Sequence, residues 1–513
     1  MKKAMNTGTM PRQPGTVIRS PMHPLRFLTC FPLIFLRLPE AQTRRSANAH
    51  PVDKSSIAAT LPPDYSSLPH PTCGQTLDSA TTPRNTSNPK RPHRSRPLAH
   101  QHLAPASRSP VPTRPARRGT KLGAMAYNFD SPTIETLSSQ GTSKWTRYPG
   151  TIGAWIAEMD FGIADEVRDF IIAEAQRGTM GYLTDEDRSR SLTATSRWLS
   201  RFGWEPEPGR MLLVPEVLEV MRQTIKHFTR PGSAVIIPTP AYMPFLTIPG
   251  EFGREAIQVP ALHVGNTWHL DLDGIDRAFA AGAGLLVLCN PWNPTGRCLT
   301  REELEAVSAV VAKHGGYVFE DAIHAPLILD DDATYIPYAT INDVAASHSI
   351  TAVAASKGWN IPGLKCAQMV FNNPADWERF KPISYPVTEP TSTLGARAAA
   401  VCYTEAQAWN DGVRAYLADN RDLLEERVAD WEGVELAHAE GTYISFLDFT
   451  ALADSGRFGH RSPATFIREE ARVALTEGSL SGRDYAAFAR LIFATPHPVL
   501  TELLDRVEDA LYR

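Results

Sequence analysis

The sequence predicts an α/β fold, in which a large domain on a mostly parallel sheet covered by helices is followed by a smaller C-terminal α+β domain. Three observations carry that prediction. Short apolar runs alternate with helical stretches from Met125 onward. Each run is followed by Pro, Gly or Asn turn chemistry. Composition and charge change abruptly at about the same point, so the globular part can be read apart from what precedes it.

The first element is the segment before Met125. The chain has 513 residues, 42% of them hydrophobic, which is enough for a sizeable core. Residues 1–124 hold 19 Lys+Arg against 4 Asp+Glu and 19 of the 42 prolines, whereas the rest holds 33 against 52. The net charge of −4 therefore conceals a basic extension and an acidic globular part. With no sustained apolar period to offset its ordering entropy, residues 1–124 read as a disordered Pro/Arg-rich extension. One apolar patch at 27–36 resembles a short signal-peptide core. Against that reading, Arg26 abuts it, Pro32 breaks it, and a membrane-spanning helix needs roughly 20 apolar residues. A plainer expectation is that Met125 is the true start, with an over-extended reading frame or a dispensable tail upstream, absent from the mature protein. Scattered charge without an aromatic stacking platform argues against nucleic-acid binding. Cys30, Cys73, Cys289, Cys298, Cys366 and Cys402 show neither metal-ligand spacing nor a disulfide framework, which suits reduced thiols in a cytoplasmic protein.

In the globular part, the runs at 234–237, 284–289, 316–319 and 350–354 read as buried parallel strands. A helix is expected over 300–313, where Thr300 followed by Glu303 forms a capping box ahead of an apolar-periodic stretch. From about residue 396 a long helix and then a strand at 442–447 suggest the smaller domain. The expected divisions are 125–170 for an N-terminal arm with part of the small domain, 171–395 for the large domain and 396–513 for the small one. Ligands are expected at the carboxyl ends of the strands.

Three strand ends carry chemistry. Ser356-Lys-Gly-Trp-Asn-Ile-Pro-Gly-Leu-Lys365 follows the run ending at Ala354, so Lys357 can present an amine that condenses with an aldehyde. Taken alone, a solvated loop lysine is the commoner reading. Asn290-Pro-Trp-Asn-Pro-Thr-Gly296 ends a second run; its Asn-Pro pairs impose an extended turn, and Asn293 can donate to the phenolate oxygen of a ring cofactor. The same turn could simply cap the following helix. Asp321 ends a third run, and a carboxylate there can keep a pyridinium nitrogen protonated. His324 can orient Asp321, or be a satisfied core histidine. Metal ligation by Glu320 and Asp321 is disfavoured because no further ligand is suitably spaced, so no metal is expected.

In the order Asn-Pro-rich turn, Asp, Lys, these motifs resemble the class I/II aminotransferase superfamily of pyridoxal-phosphate (PLP) enzymes, fold type I. The resemblance runs from about Met125 to the C-terminus. Trp155-Ile-Ala-Glu-Met-Asp-Phe161, Gly181-Tyr182, Phe228-Thr-Arg-Pro-Gly232, Pro240-Ala-Tyr-Met-Pro-Phe245, and Leu394-Gly395 leading to Cys402-Tyr-Thr-Glu405 look more specifically like its MalY/PatB branch of cystathionine and cysteine-S-conjugate β-lyases. The resemblance implies an aspartate-aminotransferase-like large domain with a seven-stranded-type sheet. It implies that Lys357 is the Schiff-base lysine and the base for the substrate α-proton, that Asp321 pairs with the pyridine nitrogen, and that Asn293 meets the phenolate oxygen. Tyr242 would stack on the ring. Backbone N–H groups at Val217 and Leu218, opening a helix, would bind the phosphate.

The sequence departs from the family pattern at that phosphate site. Glu216 stands where a glycine or small residue is usual, and Ala354 where a phosphate-binding Ser is common. Lys365 stands where many relatives have an Arg, and would act as a point charge; Ser356 can supply a hydroxyl. Arg490 matches the arginine that grips the substrate α-carboxylate. Tyr182 resembles the tyrosine that reaches a neighbouring subunit's phosphate, which implies a homodimer with shared sites. Trp155 and Tyr148 can line the side-chain pocket, though large aromatics are more often ordinary core. The expected reaction is β-elimination from cystathionine or cysteine S-conjugates, giving pyruvate, ammonia and a thiol. Transamination of an amino acid with a 2-oxo acid is the alternative. A regulatory protein that keeps the fold is a third, disfavoured by the intact Lys357, Asp321, Asn293 and Arg490 set and by the lack of a DNA-binding helix pair.

Overall fold

The structure, a computed structural model, describes residues 127–264 and 266–513. The extension expected over 1–124, its apolar patch and the start at Met125 lie outside these residues.

A seven-stranded sheet forms from Met211–Val214 (β1), Val235–Thr239 (β2), Ala256–Pro260 (β3), Leu285–Cys289 (β4), Tyr317–Asp321 (β5), Ser349–Val353 (β6) and Ala367–Phe371 (β7). Its strand order is β1-β7-β6-β5-β4-β2-β3. Only β7 runs against its neighbours; the other pairings are parallel. Alternate residues of one strand feed opposite cores, as the pleat requires. Val235, Ile237, Leu285 and Val287 pack on one face, where the helix Val217–Phe228 contributes Val220, Met221 and Ile225. Ile236, Leu286 and Leu288 pack on the other, against Ile275 and Phe279 of Leu272–Ala280 and Leu304, Val307 and Val311 of Arg301–Lys313. Burial on both faces explains why these strands read as unbroken apolar runs. The capping box is present: Thr300 Oγ1 accepts from the Glu303 N–H at 3.2 Å, and Glu303 Oε2 accepts from the Thr300 N–H at 2.8 Å.

The smaller sheet is antiparallel, built from Glu435–Leu436 (β8), Ile444–Asp448 (β9), Thr476–Glu477 (β10) and Phe488–Ile492 (β11) in the order β8-β9-β11-β10. The N-terminal segment joins this part of the chain, because Ile152–Gly153 pairs in parallel with Val473–Ala474. The long helix expected from about residue 396 is two helices, Thr393–Thr404 and Gln407–Ala429. The two meet at Glu405 and Ala406, where the indole of Trp359, two residues after Lys357, donates to the Ala406 carbonyl at 2.9 Å. Gly395 allows the first of these helices to approach the Lys365 loop, since a Cβ there would lie 1.9 Å from the Leu364 carbonyl oxygen. Among the described residues, no helix is long and apolar enough to cross a membrane.

Candidate active site

Strands β1, β2, β4, β5 and β6 end at one edge of the sheet, and the segments that leave them line a cavity of about 410 Å³. That volume suits a small-molecule site. The structure brings Lys357, Asp321, Asn293, Tyr242, Val217, Leu218, Ser356, Lys365, His324, Arg490 and Trp155 into its walls. Tyr182 is not among them; it is 91% exposed.

Asp321 ends β5 and is buried, with Oδ1 accepting from the Ile323 backbone N–H at 3.0 Å. That hydrogen bond comes from the main chain and not from His324, whose buried Nδ1 has no partner among the described residues. Burial pushes the Asp321 carboxyl up to about 7, although the Ile323 N–H and Lys357 pull it the other way. The same enclosure, together with Lys357 and Arg490, pushes His324 down to about 3 and so keeps it neutral. Burial and then Arg490 lower the Lys357 amine to about 8, which brings it near neutrality as a base. Its Nζ donates to the Ala157 carbonyl at 2.7 Å, an oxygen that also accepts from the Tyr443 hydroxyl at 2.9 Å.

Arg490 lies on β11 and reaches the cavity from the smaller sheet. It donates through Nη1 to Asn293 Oδ1 at 3.3 Å and through Nη2 to the Trp155 carbonyl at 3.1 Å, while its buried Nε has no partner among the described residues. Burial lowers this guanidinium to about 10. A buried cation with an open N–H and, among the described residues, no carboxylate paired with it is poised for an anionic ligand group.

The phosphate end is less usual. Helix Val217–Phe228 opens with no side-chain cap, so its first N–H groups are free to meet an anion. Glu216 sits at its N-cap, where Lys365 Nζ pairs with Oε2 at 3.0 Å and Arg222 approaches Oε1 at 3.6 Å. The unwanted charge is thus neutralised by pairing, and the same pairing occupies Lys365. Taken together, an amine, a buried carboxyl, an uncapped helix start and a buried guanidinium fit a ring cofactor with a phosphate and an amino-acid substrate. Sequence reasoning missed the Ala157 and Trp155 carbonyls and Tyr443. Main-chain acceptors leave no side-chain signature, and only the Trp155–Phe161 motif pointed to that stretch.

The raised carboxyl gives a pH prediction for the cofactor-free protein. Between the ordinary Asp value of 3.8 and about 7, the folded state holds a proton that the unfolded state has released. Stability therefore falls as pH rises through that window. Asp321→Asn removes this loss, so its melting temperature, relative to wild type, should be higher at pH 8 than at pH 5. An equal difference at both pH values would contradict the burial argument.

Residues 100–507 match the family described as aminotransferase class I and II. The chain is 35% identical over 381 residues to a cystathionine β-lyase of Corynebacterium glutamicum, covering 74% of this chain and 99% of that one. It is 26% identical to the cystathionine β-lyase PatB of Bacillus subtilis, over 75% of this chain and all of that protein. The crystal structure of cystalysin from Treponema denticola, which contains a pyridoxal 5'-phosphate cofactor, superposes with a TM-score of 0.68 at 25% identity, covering 75% of this chain and 99% of that one. With the matching strand-end motifs converging on one cavity, this chain belongs to the class I and II aminotransferase family, in its MalY/PatB branch.

Proposed function

We propose that this chain is a PLP-dependent carbon–sulfur β-lyase that takes cystathionine or related cysteine S-conjugates and yields pyruvate, ammonia and a thiol. The carrying observation is that Lys357, Asp321 and Arg490 line one cavity in a chain that is 35% identical to a cystathionine β-lyase over 99% of that lyase's length and 74% of its own. The bound cofactor supplies an electron-withdrawing ring that accepts the charge left when an amino acid loses its α-proton.

The chain's own residues do the rest. Asp321 holds a proton on the ring nitrogen, a task suited to a buried carboxyl with one backbone donor. Asn293 keeps Oδ1 on Arg490 and has its amide N–H free for the phenolate oxygen. Tyr242 offers its ring to the cofactor face, and Val217, Leu218, Ser356 and Lys365 hold the phosphate. His324 stays neutral in the cavity wall. Arg490 takes the α-carboxylate, leaving the α-proton to Lys357, whose lowered amine can accept it near neutral pH. Trp155 borders the substrate side chain. The exposed Tyr182, with Met180 nearby at 58% exposure, supports a homodimer in which Tyr182 reaches the neighbouring site. We place the enzyme in the cytoplasm, with free buried thiols at Cys298, Cys366 and Cys402.

An assay of purified protein with PLP separates this reading from transamination. Cystathionine should give pyruvate and a free thiol, and an amino acid with 2-oxoglutarate should give no glutamate. Glutamate without pyruvate would overturn the lyase assignment in favour of the aminotransferase.

A further inference from the structure

At the cavity, residues 155–162 act mainly through their main chain. The Trp155 carbonyl holds Arg490 and, two residues on, the Ala157 carbonyl holds the Lys357 amine. The segment is fixed from both sides. On one side, Lys144 accepts from Trp155 Nε1 through its own carbonyl at 3.0 Å, while its buried ammonium donates to Asp160 Oδ2 at 2.7 Å and to the Glu158 carbonyl at 3.0 Å. Trp145 Nε1 adds a bond to Asp160 Oδ1 at 2.9 Å. On the other side, Asn360 accepts from the Met159 N–H and donates to the Met159 and Gly162 carbonyls, each at 2.9 Å. Asn360 lies three residues after Lys357 and has φ 57°, a left-handed conformation that asparagine tolerates.

We propose that residues 155–162 form a clamped strap that positions both the Arg490 guanidinium and, whenever it is free, the Lys357 amine, and that Asn360, Lys144 and Asp160 are the positioning residues that hold it. The Trp155 carbonyl fixes one arm of the Arg490 fork and leaves Nε for the incoming carboxylate. The Ala157 carbonyl gives the Lys357 amine a built acceptor whenever that amine is free. Because the two acceptors share one short stretch of backbone, slack in the strap displaces both groups together, and a misplacement of about 1 Å can cost on the order of a hundredfold in rate. This inference rests on the reading of Arg490 and Lys357 as the amino-acid site.

Asn360→Gly is the direct test, since glycine adopts the same backbone conformation while deleting the three amide contacts. Asp160→Asn loosens the other side and guards against a folding defect peculiar to the first variant. The probe is L-alanine, which has no leaving group. Its dissociation constant is read from the visible absorption of the holoenzyme, and exchange of its α-proton with heavy water by NMR. Both variants should retain the cofactor's absorption, bind alanine about tenfold more weakly and exchange the proton more than tenfold more slowly. A strap that is only structural would lower exchange in proportion to lost cofactor and leave the alanine affinity unchanged. That outcome, or variants indistinguishable from wild type, overturns the proposal. A wild type that neither binds alanine nor exchanges its proton removes the reading of the site, and the inference with it.

Discussion

Lys357→Ala should lower the elimination rate by more than about 10³-fold, because one substitution removes both the group that bonds the cofactor and the base that moves the α-proton. The visible absorption of the bound cofactor should change at the same time. Cofactor binding itself should persist, since the helix start at Val217 and the carboxyl of Asp321 are untouched. A small added amine should restore part of the proton transfer, as the cavity has room where the side chain was. Stopped-flow and steady-state measurements of pyruvate release, with and without methylamine, check this. A variant that retained more than about a tenth of the wild-type rate would remove Lys357 from the chemistry, since a positioned base alone contributes about 10²-fold or more.

Much of this site is legible in the sequence, for a physical reason. Parallel strands covered on both faces are dominated by apolar residues, so the polar and turn-forming residues at or just past their ends stand out, as Asn290, Asp321 and Ser356 do; the buried Glu320 and Thr351 inside β5 and β6 are exceptions that pair with each other. The capping box at Thr300 and Glu303 is equally local and equally visible. What the sequence hides is whatever depends on distant partners. Lys144 and Asp160 look like two ordinary surface charges, yet they are 2% and 7% exposed and paired with each other. The apolar pattern from Ala396 onward runs on without a proline, so the pattern alone does not show that one helix stops at Thr404 and another starts at Gln407, nor that Trp359 reaches the Ala406 carbonyl at that junction. Glu216 looks like a defect at a phosphate site until its pairing with Lys365 is seen.

The second large effect is expected at Arg490. Arg490→Met keeps the bulk of the side chain but removes two charge-assisted hydrogen bonds to the substrate carboxylate, worth about 3–4 kcal/mol together, or about 10²–10³-fold in kcat/KM. Most of the loss should fall on KM if the interaction is already complete in the ground state. The same change should raise the melting temperature of the unliganded protein. A guanidinium held down to about 10 by burial, with an unpartnered Nε and no carboxylate beside it, is costly until substrate arrives. Measuring kcat, KM and melting temperature together tests both halves; higher KM with lower stability would mean that Arg490 holds the fold and not the ligand.

The Glu216–Lys365 pair has a consequence for how this enzyme keeps its vitamin. With the phosphate at the Val217 end, as proposed, the anion must share the half-exposed Lys365 with Glu216, so part of its grip is traded for exchange. Such a protein would be replenished from the surrounding pool instead of carrying one molecule for life. Its occupancy would then track the cell's supply more closely than that of a homologue with glycine at this turn.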